Sequence, residues 1–174
     1  MEPIDHKILQ ELLPVEKELP LPTKSKRGGK SDPPEADHWM HAVLLERVAY
    51  LRQLARYSEG SASETVKEYP QHCTMLSFRG RSGIAELHEN FADIFVVLEG
   101  RATLVTGGSV VGSHSVGPGE TRGDAIEGGS RMELRPGDIA HVPAGVPHQM
   151  LVPGDKSFAA FVVKVQESAE LPKR

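Results

Sequence analysis

The stretch "AELHENFADIFVVLEG" (Ala85–Gly100) decides the fold. Alternate residues of a β-strand share a face, so Glu86 and His88 project together. If the chain turns after them and returns as a second strand, Asp93 lies opposite this pair and Phe95 continues its face. Polar side chains are rarely buried without partners. The stretch therefore predicts a metal site, a chemical site or a solvated surface at the start of a strongly apolar strand.

A second segment, "PGDIAHVPAGVPHQM", carries another imidazole (136–150). Pro143, Gly145 and Pro147 force a tight turn, and His148 opens the strand that follows. Two carboxylates and two imidazoles that meet inside a barrel would bind a divalent cation. Mixed oxygen and nitrogen ligands suit manganese, iron, nickel or zinc better than calcium or copper(I). The sequence thus predicts four metal ligands: Glu86, His88, Asp93 and His148.

A metal-free barrel is the alternative interpretation of the same residues. The carboxylates of Glu86 and Asp93 would then be solvated by water in the pocket, and the two histidines would hydrogen-bond to them. Closely placed carboxylates repel each other, which raises the pKa of one of them in the absence of a cation. This cost favours the metal site.

At these residues the sequence resembles the cupin superfamily, whose motifs are G-x5-H-x-H-x4-E-x6-G and G-x5-P-x-G-x2-H-x3-N. Both motifs match in spacing, including the glycines and the proline that shape the turns. The matching positions are Gly80, Glu86, His88, Asp93 and Gly100 in the first motif, and Gly137, Pro143, Gly145 and His148 in the second. The resemblance covers roughly residues 69–165.

The sequence departs from the family pattern at three positions. Glu86 stands where the family has its first histidine, Asp93 stands where it has glutamate, and Val152 stands where it has asparagine. The resemblance implies that Glu86, His88, Asp93 and His148 are the metal ligands. Because aspartate is one methylene shorter than glutamate, Asp93 is also a candidate for a hydrogen-bond partner of the ligands rather than a ligand itself.

The fold expected from this resemblance is all-β, a cupin-like double-stranded β-helix or jelly-roll barrel. Short strand-like runs separated by Gly and Pro, which are typical of a β-sandwich or barrel, fill the chain from Val66 onward. We predict an extended arm at 1–31, an amphipathic helix and hinge at 32–65, the barrel at 66–168 and a tail at 169–174.

The predicted helix begins at Asp32 as N-cap, with Glu35 three residues later, and ends at Gly60. Its apolar residues recur at helical spacing and form a stripe that packs on the barrel or on a second subunit. They are Met40, Val43, Leu44, Val48, Leu51, Leu54 and Ala55. The following stretch "SEGSASET" (58–65) is interpreted as a Ser/Gly hinge. The arm carries a short basic cluster, "KSKRGGK", interpreted as a solvated linker.

A Gly-rich excursion of about 107–130 separates the two motifs. It contains Glu120 and Arg122. A segment of this composition is a mobile lid or binding loop, a decorated hairpin or a dimer contact, and the sequence does not choose among them. Three further residues are expected at the pocket: His141, Gln149 and Phe95.

The totals restrict the class of protein. The chain has 174 residues, 25% charged residues and a net charge of -4, which argues against a dedicated nucleic-acid partner. One cysteine excludes an internal disulfide framework and fits a reducing compartment, so we expect the cytoplasm. A chain whose signal peptide has been removed would look the same. No run is long enough to span a membrane.

Three functions remain open from the sequence. The first is a mononuclear metal enzyme acting on a small molecule, with dioxygenase, lyase or isomerase chemistry implied by the resemblance. Glu86 is its candidate catalytic residue, as a general base if it is not needed as a metal ligand. The second is a non-catalytic cupin that binds or senses a small ligand. The third is an interaction module that uses the helix and arm. The resemblance also implies a homodimer.

Overall fold

The computed structural model describes residues 36–167. The chain divides into two compact units, 1–43 and 44–174. In the first unit the described residues are 36–43, of which 36–40 are irregular and the last three begin helix α1 (His41–Leu54). The predicted arm (1–31), the Asp32 cap and the tail (169–174) lie outside the described residues.

From Leu44 onward, helix α1 packs on the barrel of its own chain. Val48, Leu51 and Ala55 are buried and form one cluster with Leu76 and Phe78. Val48 and Leu51 are three residues apart and share one face of the helix, and Ala55 follows in the turn directly after it. This confirms the prediction that the apolar stripe of the helix packs on the barrel. The same face is therefore unavailable to a second subunit.

The helix is shorter than the sequence predicted. Residues 36–40 are not helical, so a helix beginning at the Asp32 cap is wrong, and the helix ends at Leu54 rather than at Gly60. Most of the stability of a protein helix comes from packing its apolar face. Met40 was predicted on that face, but it is 58% exposed.

Thirteen strands follow within the described residues. They are β1 (Ser61–Glu68), β2 (His72–Arg79), β3 (Ala85–His88), β4 (Phe91–Gly100), β5 (Ala102–Thr106), β6 (Ser109–Val111), β7 (His114–Gly117), β8 (Glu120–Gly123), β9 (Ala125–Glu127), β10 (Ser130–Leu134), β11 (Ile139–Val142), β12 (His148–Leu151) and β13 (Phe158–Gln166).

The strands form two large antiparallel sheets and one small one. The five-stranded sheet has the order β1-β2-β13-β4-β11, and the six-stranded sheet has the order β10-β5-β12-β3-β8-β7. A buried cluster that includes Val97, Leu104, Met150 and Val162 draws residues from both sheets. The all-β double-stranded β-helix preceded by a helix is confirmed by this architecture.

The predicted hinge is wrong beyond residue 60. Strand β1 begins at Ser61 and pairs with β2 from Ser61 opposite Arg79 to Glu68 opposite Cys73. β1 is the edge strand of its sheet. An edge strand with one solvated face tolerates the Ser, Thr and Glu residues that resembled a linker in the sequence. The sheet therefore begins at 61 rather than 66.

The Gly-rich excursion is built of strands. β6 pairs with β9 as the two-stranded sheet, while β7 pairs with β8 and β8 pairs with β3. Of the three alternatives, the structure favours the decorated hairpin, since β8 extends the six-stranded sheet beside the strand that carries Glu86 and His88.

Candidate metal centre

Three strands bring the four predicted ligands together. β3 carries Glu86 and His88, β4 carries Asp93, and β12 begins with His148, whose Cα is paired with that of Glu86. Residues directly opposite each other in an antiparallel pair share one face of the sheet. β3 and β12 therefore present their ligands together, and β4 presents Asp93 from the other sheet.

The turn before His148 is held at two points. The backbone N–H of Gly145 donates to the carbonyl oxygen of His88 at 2.8 Å, and Gly145 has φ +77°, which favours glycine. The backbone N–H of Ala144 donates to a carboxylate oxygen of Glu167 at 2.9 Å. The Pro/Gly pattern of the second motif thus sets the position at which β12 starts.

The ligand atoms converge on one point. One ligand atom each from Glu86, His88 and His148 lie within 4.8 Å of one another. Oδ2 of Asp93 lies 3.3 Å from Nε2 of His88 and 3.4 Å from Nε2 of His148. Oε2 of Glu86 lies 3.7 Å and 3.8 Å from the same two nitrogens. Atoms bound about 2.1 Å from one ion are separated by about 3.0–3.4 Å at tetrahedral or right angles. The Asp93 distances fit this range and the Glu86 distances are slightly longer.

The two imidazoles turn their Nε2 atoms toward this point. Nδ1 of His88 lies 2.6 Å from Oε2 of Glu120, and Nδ1 of His148 lies 3.3 Å from the carbonyl oxygen of Val146. Carboxylate and carbonyl oxygens only accept hydrogen bonds, so Nδ1 carries the proton in both rings. In a neutral ring Nε2 then has a lone pair, as a metal ligand requires.

One of these nitrogens has no hydrogen-bond partner. Nε2 of His148 is buried and makes no hydrogen bond to any residue within 36–167. An unsatisfied buried polar atom costs about 1–3 kcal/mol. A bound cation would satisfy this nitrogen, so the four side chains fit a metal ion. This support for a metal site does not depend on the match to the two motifs.

The charges of the site keep its carboxylates ionised. Burial would raise the pKa of Glu86, but His88 and the guanidinium groups of Arg79 and Arg122 lower it to about 2. Burial would likewise raise the pKa of Asp93, but the imidazoles of His148 and His88 and the ammonium of Lys164 hold it well below its usual range. Both side chains therefore offer anionic oxygens at neutral pH.

The pKa of His88 is shifted in the opposite direction, upward. Burial would lower the pKa of His88, but the carboxylates of Asp93 and Glu86 raise it to about 9. In the absence of a cation the ring therefore holds a second proton at neutral pH and neutralises part of the carboxylate charge. Binding of a metal at Nε2 must displace this proton.

Of the three predicted pocket residues, Phe95 is the one that lies beside the ligands. Its ring centroid is 6.2 Å from that of His148, in an edge-on arrangement. Gln149 is buried but follows His148 on the opposite face of β12, where its amide donates to the carbonyl oxygens of Gly83 and Asp124. His141 is 52% exposed on β11, and its Nε2 lies 3.9 Å from Glu167. Neither of the last two is brought to the ligands.

Three charged residues at the site were missed by the sequence analysis. Nζ of Lys164 on β13 lies 3.1 Å from Oδ1 of Asp93, its cross-strand neighbour. Glu120 and Arg122 come from β8 in the excursion. Their spacing of two residues fits a strand. Only the pairing of β8 with β3 brings them to the site, and no local sequence signal predicts that pairing.

The chain is similar to several solved structures. The chain is similar to the protein TT1209 from Thermus thermophilus, with a TM-score of 0.50 and 20% identity over 71% of this chain and 95% of that one. It is similar to an uncharacterized conserved protein with a double-stranded beta-helix domain from Klebsiella pneumoniae, with a TM-score of 0.47 and 18% identity over 65% of this chain and 83% of that one.

It is also similar to the DMSP lyase DddQ from Ruegeria pomeroyi, with a TM-score of 0.47 and 18% identity over 67% of this chain. The match spans 52% of the length of that lyase. The sequence matches no family model and no curated protein. Similarity at these identities concerns the fold alone.

The sheet order and the spacing of the two motifs define the fold of the chain. The chain has the cupin fold, a double-stranded β-helix, with a cluster of carboxylates and imidazoles at a candidate metal site between its sheets. No helix within residues 36–167 is long and apolar enough to cross a membrane.

Proposed function

We propose that this protein is a mononuclear metal-dependent cupin that acts on a small molecule, with dioxygenase, lyase or isomerase chemistry. The observation that carries the proposal is the buried Nε2 of His148, which faces the anionic oxygen of Asp93 at 3.4 Å and has no hydrogen-bond partner among the described residues. His88, His148, Glu86 and Asp93 would hold the ion. Manganese, iron, nickel and zinc all suit this donor set.

A divalent transition metal in this position supplies Lewis-acid polarisation of a bound substrate, or electron transfer to oxygen if it is iron. The residues around the metal position determine its surroundings. Phe95 contributes an apolar wall, and the buried His88, Asp93 and His148 keep the inner side of the site away from water. Buried, dry surroundings strengthen the electrostatic effect of every charge in the site.

Glu86 is the catalytic residue of the proposal, because it is the most accessible of the four. Its side chain is 24% exposed, against 5–6% for the other three. A general base works best with a pKa near the operating pH, and the pKa of Glu86 is held at about 2. We therefore propose that Glu86 binds and orients a substrate through its anionic oxygen, and that it is a weak proton acceptor.

The alternative function is a non-catalytic cupin that binds or senses a small ligand. Such a protein would enclose its metal with protein ligands, whereas an enzyme needs an open coordination position. Cobalt(II)-loaded protein tests this difference, since its visible absorption reports the ligands. A spectral change on addition of azide supports the enzyme, and an unchanged spectrum in protein that holds cobalt supports the binding protein.

The homodimer is also part of the proposal, together with a small-molecule partner, the absence of a nucleic-acid partner and a cytoplasmic location. The buried face of α1 cannot form the dimer, since Val48 and Leu51 are covered by the barrel. The molar mass in solution, measured by light scattering after size exclusion, tests the dimer. A mass near 19.0 kDa would exclude it.

A further inference from the structure

Strand β8 lies beside the strand that carries two of the four proposed ligands. In the antiparallel pair of β3 and β8, Arg122 is directly opposite Glu86, and Glu120 is directly opposite His88. Side chains directly opposite each other project on the same face and come into contact. Each ligand position on β3 therefore has a charged neighbour on β8.

These four side chains contact one another in a row, and each interacts with the next one. Nδ1 of His88 donates to Oε2 of Glu120 at 2.6 Å. Nη1 of Arg122 donates to the same oxygen at 3.2 Å, and Nε of Arg122 lies 3.8 Å from Oε1 of Glu86. One end of this row is the 5% exposed His88, and the other end is the accessible ligand Glu86.

We propose that Glu120 and Arg122 form a positioning pair for the metal site, contributed by the excursion between the two motifs. Glu120 fixes the ring of His88 with its proton on Nδ1, which directs the Nε2 lone pair to the metal. Arg122 holds Glu120 in place and restrains Glu86. This inference rests on the metal binding of the proposed function. It gives the excursion a role in the site, because β8 is the strand that supplies both residues.

A carboxylate that accepts from the distal nitrogen of a ligating histidine orients the ring and makes it a stronger ligand. Loss of such a partner weakens metal binding by about 10–100-fold. A purely structural ion pair on the sheet surface would behave differently. Its removal would change the free energy of unfolding slightly and leave the metal affinity and the His88 proton unchanged.

The test compares three variants with a matched control, using Zn²⁺ as the probe. Glu120→Ala removes the acceptor, Glu120→Gln keeps an acceptor oxygen without the charge, and Arg122→Gln removes the partner of Glu120. Glu127→Gln is the control, since Glu127 is an exposed acid of β9 in the same excursion. The zinc dissociation constant is measured by competition with a chelator.

We expect Glu120→Ala to weaken zinc binding by about 10–100-fold and Glu120→Gln to weaken it less. Arg122→Gln should also weaken it, and Glu127→Gln should leave it unchanged. The second measurement is the Nδ1–H proton resonance of His88, assigned by its loss in His88→Gln. It should persist in Glu120→Gln and in the control, and disappear through exchange with water in Glu120→Ala.

The results separate this inference from the proposed function. If wild type binds zinc and both Glu120 variants bind it as tightly as the control, the positioning pair is wrong and the metal site stands. If wild type binds no zinc, the proposed function and this inference fail together. If Glu120→Ala does not fold, Glu120→Gln and Arg122→Gln decide. Wild-type zinc affinity in both would overturn the inference.

Discussion

Nε2 of His148 and Oδ2 of Asp93 lie 3.4 Å apart in the interior of the barrel, and the nitrogen makes no hydrogen bond to any described residue. An imidazole that donated a proton from Nε2 would turn it toward this carboxylate, but Nδ1 is already the donor to Val146. In a neutral ring with its proton on Nδ1, the two atoms would face each other as a lone pair and an anion. Two electron-rich atoms at this distance are stabilised by a cation between them.

Metal binding should stabilise the fold. A ligand that binds only the folded state adds about 2.7 kcal/mol to the free energy of unfolding at a free concentration 100 times its dissociation constant. Urea unfolding with and without zinc measures this change. His148→Ala should abolish the stabilisation and His141→Ala should keep it, because His141 is exposed and outside the ligand cluster. Equal stabilisation of the two variants would place the metal elsewhere.

The metal-free protein should lose stability as the pH rises. The pKa of His88 is raised from 6.5 to about 9 in the folded state, so its contribution is complete below pH 6.5 and is lost as the pH rises through about 9. Each pKa unit corresponds to about 1.4 kcal/mol, which sets an upper limit of a few kcal/mol. Urea unfolding at a series of pH values in the presence of a chelator measures the loss.

His88→Gln is the control for this pH dependence, since glutamine does not titrate. Its unfolding free energy should change less than that of wild type between pH 6.5 and pH 9. A wild-type protein whose stability is constant over this interval would show that the carboxylates of Asp93 and Glu86 do not hold a proton on His88.

Gln149 should be a structural residue. Its buried amide donates to Gly83 and Asp124, and its oxygen accepts from the backbone N–H of Ile126 at 3.3 Å. Gln149→Leu leaves these groups without their partner and should lower the free energy of unfolding by about 1–3 kcal/mol. Thermal unfolding followed by circular dichroism measures the effect. An unchanged midpoint would mean that water replaces the amide of Gln149 and that this residue does not stabilise the excursion.

Helix α1 should be an integral part of the barrel unit. Leu51 is 1% exposed in the cluster with Leu76 and Phe78. Leu51→Ala should cost about 2–5 kcal/mol, because it removes buried methyl groups and leaves a cavity. Met40→Ala is the control, since Met40 is 58% exposed and its truncation should change stability by less than about 0.5 kcal/mol. Similar costs for the two would contradict the packing of α1 on the barrel.

The convergence of Glu86, His88 and His148 could be predicted because its signals are local. Glu86 and His88 are two residues apart in one strand, and the glycines and prolines around His148 set the turn before it. Strand alternation also placed Asp93 and Phe95 on one face. The positions of Gln149 and His141 relative to the pocket could not be predicted in the same way. Alternate residues of a strand lie on opposite faces, but the sequence does not say which face lies inside the barrel.

The remaining parts of the site depend on strand pairing. Glu120 and Arg122 are unremarkable in a Gly-rich segment until β8 pairs with β3, and Lys164 reaches Asp93 only because β13 pairs with β4. The hinge was predicted in place of β1 for a related reason. An edge strand carries polar residues on its solvated face, and its sequence then resembles a loop.

The metal content of protein purified without chelators, measured by elemental mass spectrometry, tests the proposed metal site. We expect about one manganese, iron, nickel or zinc ion per chain, as for a single site with four protein ligands. This ion should be absent from His148→Ala and retained in His141→Ala. Wild-type protein that contains no metal, and takes up none of these ions when they are supplied, would contradict the metal site and the proposed function with it.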